Sequence, residues 1–246
     1  MLLLAIIYLA FISLGLPDSL VGAGWPAMHE SLGVPLSCAG FITFIIATGT
    51  IISSLMSDRL TTRFGPGRVT AASVALTAAA LFGFSFSTQF WVLCLWAMPY
   101  GLGAGTVDAA LNNYAALHYT ARHMNWLHGC WGLGASISPF IMSQALSSGH
   151  GWPSAYRTVG TLQAILTAIV TVSLPLWNKT QKINGGGSAR LFDHVPTRAA
   201  LATPGVPAVL GAFFSYCAVE STSMLWAASY LAVSYTHLTL PTKRIV

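Results

Sequence analysis

The chain has 246 residues, of which 54% are apolar and 7% charged, against roughly 25% charged in an average soluble domain; a soluble globular enzyme, which needs a charged shell, is excluded. The net charge of +5 does not mark a nucleic-acid binder, because the basic residues fall in short segments between long apolar runs, the pattern of a polytopic membrane protein. Cys38, Cys94, Cys130 and Cys217 all lie within apolar runs and form no CxxC pair, so neither a disulfide framework nor a zinc site is supported.

A membrane helix needs about 20 mostly apolar residues, and seven segments qualify, giving an all-α polytopic bundle. The first, Leu2–Met28, begins without a basic n-region and continues past Asp18, so its start is not read as a signal peptide. Asp18 follows Pro17 and precedes Gly22, Gly24 and Pro26, which predicts a broken helix with backbone groups open to a cavity. The second span is Pro35–Ser57, followed by a basic loop. Val69–Phe86 and Phe90–Tyr119 form one uncharged stretch as far as Val107, divided at Ser85–Gln89. The fourth span carries Gly101, Gly103 and Gly105, whose spacing is not that of a dinucleotide loop; close helix packing is expected. It also carries Asp108 and Asn112, four apart on one helical face, with Asn113 about a third of a turn away. A charged acceptor beside amides that both donate and accept suits hydroxyl groups.

The fifth span, Met124–Leu146, opens with His128 and Trp131 on one face and continues through Gly132, Gly134 and Pro139. A Trp ring over a polar cavity suits the C–H face of a sugar, or anchors the helix at the interface; His128 could bond a solute or relay protons. The turn Ser147–Pro153 separates it from the sixth span, Pro153–Trp177. The stretch 178–205 is basic, contains Gly185-Gly186-Gly187-Ser188 and has linker composition. The seventh span, Val206–Ala232, aligns Tyr216, Glu220 and Ser223. Val233 to Thr242 can be encoded by a transposase adapter used in preparing sequencing libraries, so 233–246 is expected to be a reading-frame artefact outside the fold. The domain organisation is therefore residues 1–177 as a six-helix bundle, 178–205 as a cytoplasmic linker, and 206–232 as the first helix of a second half.

Arg59, Arg63 and Arg68 follow span two, Arg122 follows span four, and Lys179, Lys182, Arg190 and Arg198 follow span six; the loops after spans one, three and five have no Lys or Arg, and Arg157 at the start of span six is the exception. The even loops are expected in the cytoplasm, with the N-terminus inside an inner-membrane protein. Asp18, Asp108 and Glu220 are ionisable groups within spans, each a candidate functional group by its cost alone. No nucleophile–base pair or metal-ligand spacing accompanies them, so neither an enzyme nor a cofactor is expected.

Six spans, a basic linker and a seventh span, with the loop Ser54-Leu55-Met56-Ser57-Asp58-Arg59-Leu60-Thr61-Thr62-Arg63-Phe64-Gly65-Pro66-Gly67-Arg68, resemble the major facilitator superfamily and its G-x-x-x-D-R-x-G-R-R signature. Ser54 stands for the first Gly, and the loop before Gly65 is longer. The resemblance implies two six-helix halves, a chain cut after helix seven whose partner is its missing C-terminal half, and a cavity lined by spans one, four and seven. Acids on helices one and four are similar to those of proton-coupled fucose permeases. This implies symport of a sugar-like solute with a coupling proton. A drug or metabolite efflux antiporter of the same fold, or a nonfunctional fragment, is the alternative.

Overall fold

The computed structural model describes residues 2–177 and 197–235. These residues are helical: α1 (Leu2–Asp18), α2 (Leu20–Ser31), α3 (Ala39–Phe64), α4 (Pro66–Phe86), α5 (Phe90–His118), α6 (Ala121–Ser147), α7 (Trp152–Val172), the short α8 (Thr197–Leu201) and α9 (Val206–Tyr235). Among the described residues six segments are long and apolar enough to cross a membrane: Leu2–Ser31, Leu36–Phe64, Pro66–Phe86, Phe90–His118, Trp152–Val172 and Val206–Ser234. The expected fifth span forms as the 27-residue α6 but falls short on apolarity, because polar residues fill its first two turns and Gly, Ser, Pro139 and Gln144 dilute the remainder.

The breaks fall where the sequence places them. α4 ends at Phe86 and α5 starts at Phe90, while α6 ends at Ser147 and α7 starts at Trp152. The basic loop after span two differs from expectation. Helix α3 continues through Asp58 and Arg59 to Phe64, and the whole reversal is made at Gly65, which is both the C-cap of α3 and the N-cap of α4 at φ 83°. Nothing before Gly65 breaks a helix; Gly65 reaches the left-handed region without penalty, and Pro66 fits the first turn of α4, where a missing N–H costs nothing. Of the expected linker, residues 178–196 lie outside the described residues. Val233–Tyr235 continue α9, and residues 236–246 lie outside the described residues.

Packing joins α1 to α6, α3 to α5, α4 to α5 and α7, and α9 to α2. The glycine run of α5 is divided between two neighbours. A Cβ on Gly101 or Gly105 would run into the backbone of α3 at Ile46 and Thr50, and one on Gly103 would meet Ser73 and Thr77 of α4. Along that close seam the hydroxyls of Thr50, Ser54 and Ser57 donate to the carbonyls of Gly101 (3.3 Å), Gly105 (3.1 Å) and Thr106 (3.3 Å). Apolar attraction between helices vanishes in lipid, so close van der Waals contact and such bonds hold the bundle. Two apolar clusters fill the interior. One surrounds Trp25, Phe84 and Tyr156, and the other surrounds Ile7, Phe11 and Leu111. Trp91, Phe140 and Val172 are 75–81% exposed on the outside, which suits hydrocarbon and not water.

Two prolines shape the helices nearest the cavity. Pro17 has no N–H to give the carbonyl of Ser13, and Pro139 has none for the carbonyl of Ala135. Each carbonyl finds a donor from a different helix. Gln163 Nε2 of α7 donates to Ser13 O at 2.8 Å, and Ser19 Oγ donates to Ala135 O at 2.6 Å. Gln163 Oε1 in turn accepts from Thr77 Oγ1 of α4.

Candidate functional site

Asp18 ends α1, and Leu20 starts α2. The expected break in span one is real but mild: Ser19 stays in the helical region at φ −96°, ψ −3°, and its carbonyl accepts from Ala23 N at 3.0 Å. The break turns the Asp18 carboxylate into a cavity of about 860 Å³. Both oxygens are held. Tyr100 Oη of α5 donates to Oδ1 at 3.1 Å, and Trp131 Nε1 of α6 donates to Oδ2 at 2.8 Å. Asp18 is exposed because it borders this cavity.

Close backbone approach sets those bonds. A Cβ on Gly15 would strike the Trp131 carbonyl, and one on Gly134 would strike the Ile12 carbonyl. Only two glycines facing each other let α1 and α6 come near enough for the Trp131 indole to reach Asp18. A similar approach at Gly22, opposite Met224 and Leu225, seats α9 on α2 and brings Glu220 to the cavity wall.

Of the candidate residues, Asp18, Trp131 and Glu220 line the cavity. Tyr216 does not; it is exposed and donates from Oη to Glu220 Oε1 at 2.8 Å, orienting that carboxylate. Ser223, on the same stripe, is turned back to the Val219 carbonyl at 2.8 Å. Asp108 and Asn112 meet as their spacing implies, Asn112 Nδ2 donating to Asp108 Oδ1 at 2.9 Å. That pair is not part of the cavity wall. The His128 ring meets Phe11 edge-on at 5.9 Å. Asn113 is exposed and is not among the lining residues. Thus three of the eight residues share the cavity, Tyr216 supports one of them, and Asp108, Asn112, Asn113 and His128 stand apart from its wall.

Sequence reasoning missed Tyr100, the second ligand of Asp18, and the contribution of α3 through Thr43, Phe44 and Thr50. The Pro99-Tyr100-Gly101 triplet was the available signal, since a phenol next to a helix-distorting proline within a span needs a polar partner. In the basic loop, Ser54 packs on Gly105 as described, while Asp58, Arg59, Arg63 and Arg68 are exposed. Arg63 lies over the Phe64 ring at 5.3 Å, and no side chain caps α4. Among the described residues no group of three or more His, Cys, Asp or Glu could hold a metal.

A sequence profile of the Major Facilitator Superfamily matches residues 7–242. The Saccharomyces cerevisiae protein named "Bypass of stop codon protein 6" is 26% identical over 144 residues, which is 57% of this chain and 29% of that protein. The chain therefore spans less than a third of the length of the curated relative it matches.

Proposed function

This chain belongs to the major facilitator superfamily, and on that premise we propose that it carries a small solute across the membrane by alternating access through the cavity at Asp18, with protons as the driving ion. The second half of the solute path would come from the C-terminal six-helix half of the family architecture.

One observation carries the reading. A single carboxylate at the α1–α2 break is bonded to α5 through Tyr100 and to α6 through Trp131. Protonating it removes the charge that strengthens both bonds, so its proton occupancy and the relative positions of three helices are coupled. Asp108, bonded to Asn112 within its span, is the second coupling carboxylate. Sugar symport is supported by acids on spans one and four and by an aromatic beside the solute space. Efflux of a drug or metabolite in exchange for protons is the second reading, favoured by the aromatic walls formed by Phe44, Phe84 and Phe213.

Proteoliposomes holding the full-length protein test the coupling. The wild type is expected to move solute uphill under a pH gradient, and Asp108→Asn to abolish accumulation while retaining exchange of labelled for unlabelled solute, which needs no net proton movement. Normal uphill movement by Asp108→Asn would overturn the role of Asp108. Dependence on sodium in place of protons would overturn the coupling ion.

A further inference from the structure

We propose that the cavity around Asp18 binds an organic cation with an aromatic-sized apolar body, an inference that rests on this cavity being the solute path. Charge points there first. Asp18 and Glu220 both line the space, and among the described residues none of the lining groups is Lys, Arg or His. An ionised carboxylate away from bulk water is stable only when paired or well bonded. Asp18 has two neutral donors and Glu220 has one; a positive charge is what the site lacks.

The hydrogen-bond inventory of the walls favours a cation over a polyol. A sugar presents hydroxyls that need donors as well as acceptors, and most donors on these walls are already committed, the Ser221 hydroxyl and the Trp226 indole N–H being the ones left. Tyr100 and Trp131 give theirs to Asp18. The hydroxyls of Thr43, Thr50 and Thr222 are turned onto the carbonyls of Ala39, Gly101 and Ala218, and Tyr156 Oη points to Met28 Sδ at 3.7 Å. What remains for a solute is chiefly acceptor oxygen. The walls supply the rest of the match: Phe44, Phe84, Phe213 and Trp226 border the same space, and aromatic faces attract cations while covering an apolar body.

Tetraphenylphosphonium, a cation with no hydrogen-bond donor, and triphenylphosphine oxide, a neutral molecule of similar shape, test this without altering the protein. Equilibrium binding to the purified full-length protein is expected to favour the phosphonium by about tenfold or more, one decade in affinity being 1.4 kcal/mol. Asp18→Asn and Glu220→Gln, each eluting as a monodisperse protein, are expected to weaken phosphonium binding by about tenfold and leave the oxide unchanged. Equal affinity for the two probes, displacement of the phosphonium by a neutral hexose, or unchanged binding in both carboxylate variants would overturn the proposal. Phosphonium binding with no solute movement in proteoliposomes would instead sink the transport reading and leave the cation site standing. Proton-driven movement of a neutral sugar with no phosphonium binding would do the reverse.

Discussion

Ser19 Oγ donates to the carbonyl of Ala135 at 2.6 Å, and Ala135 is the residue whose carbonyl Pro139, four positions on, cannot serve. The break in one helix thus supplies the donor missing from another. α1 and α6 are registered against each other at the level of Asp18 by a bond that neither helix could make alone, and the same register sets Trp131 within 2.8 Å of the Asp18 carboxylate.

Removing the hydroxyl leaves a buried carbonyl without a partner, which costs about 1–3 kcal/mol. Ser19→Ala is therefore expected to lower unfolding stability in detergent by that amount. In a Pro139→Ala background the helix regains its own N–H donor, and the same substitution is expected to cost less than half as much. A double-mutant cycle measured by denaturant unfolding reads the difference; equal costs in both backgrounds would show that Ser19 acts through something other than the proline-freed carbonyl.

Gln163 has the corresponding part at Pro17. Its amide joins Ser13 O to Thr77 Oγ1 across three helices, and Gln163 is buried. Gln163→Leu fills the volume but strands Ser13 O, while Thr77 Oγ1 keeps the Val74 carbonyl, and a loss of about 1–3 kcal/mol is expected. Thermal unfolding followed by far-ultraviolet circular dichroism measures it, and a Tm within error of wild type would refute the network's contribution.

Gly134 admits no side chain without moving α1. Gly134→Val is expected to destabilise by about 1–3 kcal/mol through overpacking and to separate Trp131 from Asp18. Gly132→Val, at a position where a Cβ meets nothing within 4 Å, is the matched control and is expected to have little effect. Tryptophan fluorescence would register the lost indole bond in Gly134→Val, and identical spectra for the two variants would contradict the close-approach account.

Orientation follows from the basic residues. Arg122→Cys, at the start of α6, is expected to resist a membrane-impermeant maleimide applied to intact cells and to react after permeabilisation. Reaction from outside would invert the topology.

The sequence by itself determined the all-helical class, nearly all the helix breaks, and the positions of the three acids within the helices. That is physically reasonable, because a segment in hydrocarbon must satisfy its own backbone and expose apolar side chains to lipid, and both demands are local. The short i, i+4 pairs were legible on the same basis, as Asp108–Asn112 and Tyr216–Glu220 illustrate. The helical continuation through Asp58 to Gly65 was not, because polar composition suggested a loop where no breaker existed. Only the tertiary structure decided which groups share the cavity. Asp18 is joined to Tyr100 across 82 positions and to Trp131 across 113, and Ala135 to Ser19 across 116. Those meetings depend on which helix faces approach within a glycine's width, and an isolated helix carries no information about the surface it will meet.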